Sequence, residues 1–434
     1  MNTRLVSILP ILLISACGEP EWLPGDTAGP DDEVETLRSD LTRELEPSAT
    51  PEDLQSAAVG INAFGFDLFH QLRASSSEDE SLFFSPTSLS TALSMTWAGA
   101  LGETEAQMAQ VLHYDLPQEL HHPAFNALSL ELESREGDGQ GEDGYGLRLD
   151  LINSLWGLTG YPFLESFLDV IALHYGAGLQ LLDFASDPEG SRQTINAWVE
   201  EQTDGDIDEL LELGIIDSNT VLVLVNAITY AAAWEHTFPV EATQDQAFQL
   251  LDGGEVTVPT MSVTEEFAWA QGDGYLSIEL PYEGNEMAML VIVPDQGRYR
   301  EIEAAMEPTF IEQVVDELEP AALTLSLPCW SSETKVDAVE QLQALGMVDA
   351  FDPGNADFSG MNGGAGPLWI SHVIHQALVS VDEEGTQAVA ASAAVMSWGS
   401  GERVTVDRPF LYLVRDNPTG AILFMGRMMD PSVQ

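Results

Sequence analysis

Basic residues are scarce in this chain. Its 434 residues include 14 Lys and Arg against 72 Asp and Glu, which gives a formal net charge of −58 at pH 7. Lys335 is the only lysine. Nucleic acids and anionic lipid surfaces are bound through basic patches, so this composition argues against both as partners. A surface this acidic also keeps a protein soluble at high salt, which fits a saline habitat as well as ordinary drift of surface residues.

Long apolar runs are missing too. The run from Leu5 to Leu13 is too short to span a bilayer, and no later run reaches the length of a transmembrane helix. Arg4 precedes this run, so residues 1–16 have the pattern of a secretory signal peptide. Small residues then lead directly to Cys17, as in a bacterial lipobox, where the signal is removed and the cysteine becomes the lipidated first residue.

The expected location follows from this motif. Gly18, rather than Asp, follows Cys17 and fits onward sorting to an outer membrane. We therefore expect a secreted protein of a bacterium, lipid-anchored to the cell envelope through Cys17, with an extracellular location as the alternative. The lipid anchor would be its only contact with a membrane.

Cysteine is nearly absent. The only one besides Cys17 is Cys329, which lies in an apolar run with the pattern of a strand. With Cys17 used for lipidation, no disulfide can form, so we expect Cys329 to be a buried structural thiol.

Large apolar residues are sparse from Glu19 to Pro51, where Asp, Glu, Pro, Gly, Ser and Thr predominate. Such a segment cannot bury enough apolar surface to offset the entropy lost on ordering. We therefore predict a disordered acidic tether over residues 17–56, extended by the repulsion between its charges. Residues 57–431 are predicted to form one globular domain without internal repeats.

Catalytic motifs are absent from the sequence. It has no G-x-S-x-G nucleophile elbow, no H-E-x-x-H and no C-x-x-C. His372 and His375 could suggest a metal, but three positions apart on a strand their rings point to opposite faces. We therefore expect that the protein is not an enzyme and that it has no cofactor and no metal site.

What the sequence does have is an unusual stretch near its C-terminus, from Val381 to Phe410. It contains no charge and no proline between Gly385 and Gly401. Proline and unpaired charge both oppose burial in a central strand, so this segment is free to be buried as one, with small side chains on both faces. An Ala-rich helix is the alternative. The glycines at both ends and the β-patterned Val404–Val406 favour the strand.

The rest of the chain alternates between helical and strand patterns. The continuous apolar run from Val221 to Ile228 is typical of a strand buried on both faces, and Ile374 to Val381 is predicted as another strand. Pro86 and the hydroxyls around it predict the start of a helix. Further helices are predicted from Ile61 to Arg73 and from Val336 to Leu345.

Three segments together resemble the serpin family. They are LFFSPTS at Leu82 to Ser88, EEGT at Glu383 to Thr386 ahead of the alanine-rich run, and VTVDRPFLYLV at Val404 to Val414. The resemblance implies an α+β fold with several β-sheets, including a large central sheet, and about eight or nine helices. It also implies an exposed reactive loop, at residues 383–403.

The resemblance further implies a mechanism. In inhibitory serpins a protease cuts the loop and forms an acyl-enzyme, and the freed hinge inserts into the central sheet as an extra strand. The hinge positions here are Glu384, Gly385, Thr386, Gln387, Ala388, Val389, Ala390 and Ala391. Gln387 and Val389 depart from the usual family pattern. The positions that match the family's sheet-opening region, its shutter and breach, are Ser85, Ser88, Asn226, Trp234 and His375.

Family spacing gives two positions for the scissile bond. Family spacing counted forward from Gly385 gives Gly399 as the residue before the cut, whereas spacing counted backward from Pro409 gives Trp398. We favour Trp398–Gly399 because a bulky aromatic side chain fills an apolar specificity pocket and glycine does not. Trp398 points to chymotrypsin-like proteases.

The alternative bond is Met396–Ser397, which points to elastase-like or subtilisin-like proteases.

Two functions stay open. The first is a suicide-substrate inhibitor of serine proteases, with papain-like cysteine proteases as further targets. The second is a non-inhibitory binding or chaperone module with the serpin fold. We expect a monomer, and no heparin-type activation, because the region from His113 to Tyr145 holds a single Arg.

Overall fold

The structure is a computed structural model, and it describes residues 34–135, 148–386 and 402–433, except for the side chains of Asp150 and Thr229. The helices in this part are α1 (Pro51–Ser75), α2 (Pro86–Trp97), α3 (Gly102–Val111), α4 (Gln118–Glu133), α5 (Glu165–Tyr175), α6 (Pro188–Gln202), α7 (Tyr299–Ala304), α8 (Pro308–Asp316), α9 (Val339–Leu345) and α10 (Ser359–Asn362). Two 3₁₀ turns lie at Val240–Ala242 and Asp349–Phe351.

The strands number sixteen in the same residues. They are β1 (Glu35–Leu37), β2 (Leu82–Phe84), β3 (Arg148–Leu158), β4 (Leu179–Leu182), β5 (Leu222–Ala233), β6 (Gln244–Gln249), β7 (Glu255–Gly272), β8 (Tyr275–Pro281), β9 (Met287–Pro294), β10 (Glu319–Pro328), β11 (Trp330–Asp337), β12 (His372–Val381), β13 (Gly385–Thr386), β14 (Glu402–Thr405), β15 (Phe410–Asp416) and β16 (Ile422–Met428).

These strands form two sheets. The first is seven-stranded, in the order β1-β4-β3-β5-β13-β12-β11, and we call it the central sheet. The second runs β14-β10-β7-β8-β9-β15-β16-β2, with β6 added at β7. Strands β5 and β9 owe their central positions to largely apolar sequence, because a strand covered on both faces needs no alternation. The α+β class and the large central sheet agree with the sequence-based expectation, and the helix count is ten in the described part against the eight or nine expected.

Local sequence explains where the first two helices begin. Thr50 caps α1 through its side chain, which accepts a hydrogen bond from the backbone N–H of Asp53, and the Asp53 carboxylate in turn accepts one from the Thr50 N–H. Ser85 caps α2 with a single bond, in which its hydroxyl accepts from the backbone N–H of Ser88, and Pro86 follows at the first helical position. Eleven residues of α2 are buried, so this helix lies inside the protein beneath the central sheet.

The N-terminal boundary of the domain differs from the prediction. The expected tether over residues 17–56 includes ordered structure from residue 34 onward, because β1 joins the edge of the central sheet and α1 begins at Pro51. Composition alone missed this order, since the segment is held by backbone pairing and hydrogen bonds and by little apolar burial. Residues 17–33 lie outside the described residues.

Another difference concerns the segment before α9. The helix predicted from Val336 begins only at Val339, and Trp330–Asp337 forms strand β11, which pairs antiparallel with β12. The alternation of polar and half-buried residues in this strand was masked by the helical pattern that follows it. In the described residues no helix is both long enough and apolar enough to cross a membrane.

Candidate functional site

The site lies at a seam in the middle of the central sheet. Strands β5 and β12 run parallel and pair directly from Val223 to Ile228 and from His372 to Ala377. At their other ends the short strand β13 lies between them and is antiparallel to both. The two strands are therefore joined over one half of the seam and separated by a third segment at the other end.

Strand β13 consists of the first two small residues of the uncharged stretch. Gly385 pairs with Ala233 and Thr386 with Ala232 on one side, while Thr386 pairs with Val381 on the other. Thr386 is fully buried. The first residues of the hinge predicted from sequence, Gly385 and Thr386, thus already occupy the entrance of the seam in the intact chain.

Gly385 is required by the close approach of β5. A Cβ at this position would stand 2.1 Å from the carbonyl oxygen of Ala232, which is far inside van der Waals contact with backbone. Only a residue without a side chain can enter the sheet here in this register.

Two aromatic side chains line the entrance. The rings of Trp234 and Tyr282 stack with centroids 4.6 Å apart and planes inclined by 10°. The Tyr282 hydroxyl and the Thr386 hydroxyl are hydrogen-bonded at 2.8 Å. Trp234 donates its indole N–H to the carbonyl of Asp382, at 3.0 Å, and its backbone N–H to the carbonyl of Glu384, at 2.9 Å. These contacts hold the chain that enters the seam.

The turn between β12 and β13 is acidic. Asp382 accepts hydrogen bonds from the backbone N–H groups of Glu384 and Gly385, and Glu383 accepts one from the hydroxyl of Thr243 at 2.5 Å. Desolvation is the largest influence on Asp382 and raises the pKa of its carboxyl group, which the two backbone donors partly oppose. The turn is therefore held by hydrogen bonds to oxygen rather than by a basic partner among these contacts.

A polar network crosses the joined part of the seam. His375 of β12 and Asn226 of β5 are paired residues, and the His375 ring donates from Nδ1 to the Asn226 side-chain oxygen. The Asn226 side-chain nitrogen donates to the Ser88 hydroxyl and to Asn153 of β3. Ser88, Asn226 and His375 of this network were predicted from the sequence, whereas Asn153 was not. The predicted Ser85 also joins them, through its backbone N–H.

This network fixes the protonation of His375. The backbone N–H of Ser85 donates to Nε2 of the His375 ring at 3.2 Å, so Nε2 is an acceptor and Nδ1 carries the hydrogen. Burial lowers the pKa of His375 to about 3. A proton on Nε2 would point at the hydrogen of the Ser85 N–H, and the two would repel each other. The site therefore requires the neutral imidazole.

Sequence reasoning missed three contributors: Tyr282, Thr243 and Asn153. Tyr282 and Thr243 carry no local motif, and each reaches the hinge from a distant strand or turn. Asn153 could have been found, because an Asn inside an alternating strand pattern needs a polar partner when it is turned toward a buried helix.

Several predicted residues lie outside the described residues. They are the reactive-bond candidates Trp398, Gly399, Met396 and Ser397, the hinge residues Gln387, Ala388, Val389, Ala390 and Ala391, and the lipidation candidate Cys17. Cys329 is a free thiol that is half-buried rather than fully buried. Burial, with the nearby Glu383 and Asp382 carboxylates, raises its pKa to about 12, so the thiol is inert.

His372 and His375 point to opposite faces of β12, as expected from their spacing. The His372 ring contacts Asp337 at 2.7 Å, away from the network around His375. Among the residues that the structure describes, no group of three His, Cys, Asp or Glu side chains is placed to hold a metal ion.

Comparisons with known proteins agree with this geometry. A family model described as "Serpin (serine protease inhibitor)" matches residues 59–431. The leukocyte elastase inhibitor of Xenopus laevis is 38% identical over 389 residues, which cover 88% of this chain and 100% of that protein. Among solved structures, human thyroxine-binding globulin complexed with thyroxine has a TM-score of 0.79 and 26% identity, and covers 87% of this chain and 99% of that one. Uncleaved ovalbumin has a TM-score of 0.77 and 27% identity, with coverage of 87% and 100%.

Proposed function

Since this chain belongs to the serpin family, we propose that it inhibits serine proteases as a suicide substrate, by insertion of its cut loop into the seam between β5 and β12. The observation that carries this proposal is β13, in which Gly385 and Thr386 already occupy the entrance of that seam. On this proposal the protein has no catalytic activity of its own.

The pairing register supports insertion of the whole uncharged stretch. Thr386 lies opposite Val381 of β12 and opposite Ala232 of β5. A chain that continued antiparallel in this register would pair residue 395 with His372, so the new strand would run from Gly385 to about Val395. The reactive-bond candidates would remain beyond the end of the strand, where an attached protease can be carried without entering the sheet.

The same register aligns the inserted strand with the polar network. Counted along either neighbour, Ser392 falls opposite the pair formed by His375 and Asn226. Ser392 also shares the inward parity of Thr386. Insertion must break the hydrogen bond between His375 and Asn226, and a Ser hydroxyl can both donate to and accept from these two side chains. The network is thus opened without leaving buried polar groups unsatisfied.

The uncharged composition of the stretch supports an inhibitory function. A single unpaired charge buried in the seam would cost several kcal/mol and stop insertion. The Xenopus relative is named for inhibition of a leukocyte elastase. For this chain we propose chymotrypsin-like targets if the cut falls at Trp398–Gly399, and elastase-like or subtilisin-like targets if it falls at Met396–Ser397.

A second candidate function is a non-inhibitory binding module. It is favoured by the likeness to human thyroxine-binding globulin, which was solved with thyroxine bound. Such a protein would be cut in the loop without trapping the protease.

One experiment separates the two. The purified protein is incubated with a panel of chymotrypsin-like, elastase-like, subtilisin-like and papain-like proteases and run on a denaturing gel. We expect a covalent complex with at least one of them, and none when the nucleophile of that protease is blocked beforehand. The cut protein should also melt at a sharply higher temperature. Cleavage without a complex, and with an unchanged melting curve, would reject inhibition and leave the binding module.

The site of action is a further proposal. The lipobox-like sequence ending at Cys17 supports anchoring at a bacterial cell envelope, where an inhibitor would protect the cell from proteases in its surroundings.

A further inference from the structure

Residues 34–50 form a segment that we call the N-terminal strap. The family model begins at residue 59, so the strap lies outside the region that this model matches. It starts as β1, which pairs antiparallel with β4 through Glu35–Leu37 and thereby extends the central sheet at its edge. It then crosses α5 and α4 before the chain enters α1.

The strap is fastened to both of these helices. Ser39 donates a hydrogen bond to Asp169 of α5, and the backbone N–H of Glu44 donates to the carbonyl of Leu173, also in α5, at 2.8 Å. The Arg43 guanidinium donates to Glu133 of α4 at 2.8 Å. The strap is thus tied at its start to the central sheet, through β1, and beyond β1 to α5 and α4.

Asn126 of α4 shows that this surface is built to receive the strap. Its side chain is fully buried. Its oxygen accepts a hydrogen bond from Nε of Arg43 at 2.8 Å, and its nitrogen donates to the carbonyl of Glu44 at 2.6 Å. Both ends of a buried amide are therefore satisfied by two adjacent strap residues. A buried amide without partners is costly, so its presence here implies that the strap is its regular occupant.

The position of the strap relates it to the seam. Insertion of a strand between β5 and β12 widens the central sheet by about 4.8 Å, so β5, β3 and β4 must shift relative to β12 and β11. The strap joins β4, at the edge of the shifting group, to α5 and α4 behind it, and α4 packs on α1. Movement of β4 relative to α4 would stretch the contacts that Arg43 and the Glu44 carbonyl make with α4.

We propose that the surface formed by the β4 edge, α5 and α4 is a docking site for the chain's own N-terminal strap, and that the docked strap holds the central sheet closed against premature insertion of the uncut loop. The inference rests on the insertion mechanism proposed above. It gives the segment between the anchor and the domain a role in setting how long the inhibitor stays active.

The first test uses full-length Arg43→Ala, with Arg415→Ala as the matched control. Arg415 is also a partly buried arginine paired with one carboxylate, Glu279, but it lies in the other sheet. Each protein is kept at 37 °C and its remaining capacity to form covalent complex is followed with time. Loss of capacity in Arg43→Ala should be about tenfold faster than in wild type, the change that corresponds to about 1.4 kcal/mol in the barrier, while Arg415→Ala should match wild type.

The second test locks the strap. Thr36 and Gln180 are paired across β1 and β4, so Thr36→Cys with Gln180→Cys can form a disulfide between adjacent antiparallel strands. The oxidised double variant should lose capacity more slowly than wild type and should be cut as a substrate more often, and a reductant should reverse both effects. Equal rates for wild type and both arginine variants, together with no effect of the cross-link, would overturn the proposal.

A measurement that needs no protease separates this proposal from the inhibitory function. Hydrogen exchange of the backbone amides of β5 and β12 reports opening of the seam directly. Faster exchange at the seam in Arg43→Ala supports the strap even if no protease is trapped, and unchanged exchange in a protein that does trap proteases rejects the strap alone.

Discussion

Thr386→Arg tests the insertion mechanism at the residue that enters the seam first. In the intact chain Thr386 is fully buried between β5 and β12, and its hydroxyl is bonded to that of Tyr282. An arginine does not fit this position, because its guanidinium would have to enter the fully buried space beside Tyr282, whose ring is stacked on that of Trp234. We expect β13 to be released from the seam in the variant.

The energetic cost of the arginine differs between the uncut protein and the protein with its loop inserted. Release of β13 from the intact chain loses a few hydrogen bonds, each worth about 1 kcal/mol net, so the uncut variant should melt only slightly below wild type. Insertion, in contrast, must bury the guanidinium at a cost of about 3–5 kcal/mol. Insertion should therefore slow by about two to four orders of magnitude, so that hydrolysis of the acyl-enzyme becomes faster than insertion.

The assay is a side-by-side gel of wild type, Thr386→Arg and Thr386→Val with a protease that wild type traps. The valine variant is the matched control, because it keeps the shape and apolar character of the buried side chain and removes only the hydroxyl. Wild type and Thr386→Val should yield mostly covalent complex, and Thr386→Arg mostly protein cut at the same bond. Equal amounts of complex from all three would refute insertion through this hinge.

Two further predictions concern the anchor and the buried histidine. Cys17→Ser should move the protein from the membrane fraction to the soluble fraction of a bacterial host that processes lipoproteins, and equal partitioning of the two forms would contradict lipidation. His375 has a pKa of about 3 in the folded protein, against an ordinary value near 6.5. Below pH 6.5 the unfolded chain therefore binds one more proton than the folded chain. The free energy of unfolding then falls as pH falls, by up to about 1.4 kcal/mol per pH unit for this group. His375→Gln should be less stable at pH 7 but should lose stability less steeply between pH 7 and 5 in urea unfolding; parallel pH profiles would contradict the assignment.

The central parts of the fold were predictable because their sequence patterns are local. The continuous apolar run that includes Val221 to Ile228 became β5, and the proline and hydroxyls around Pro86 became the capped start of α2. The shutter residues could be proposed only through the resemblance to a family, since no spacing within the chain connects Ser85 with His375. Their hydrogen bonds arise from tertiary packing.

The strap and the entrance of the seam were not predictable in the same way. The order of residues 34–50 depends on Arg43 meeting Asn126 and Glu133, a match between distant positions that composition does not reveal. Burial of Thr386 in the uncut chain depends on Tyr282, which directly follows β8 of the second sheet. Sequence indicated that this hinge could enter the central sheet, and the structure adds that entry has already begun.

Gly385 and Thr386 of β13 form the nucleus from which, on the proposed mechanism, the inserted strand grows. Starting a new strand requires that a flexible loop be brought to a defined register, and this loss of loop entropy precedes any gain from pairing. With Gly385 and Thr386 already in register, each later step only adds one pair next to an existing pair. The rate of strand addition should then depend on how quickly the direct pairs between β5 and β12 give way, and only weakly on the length of the free loop. On the proposed mechanism, nucleation is therefore complete before the loop is cut, and cleavage only has to free the chain for propagation.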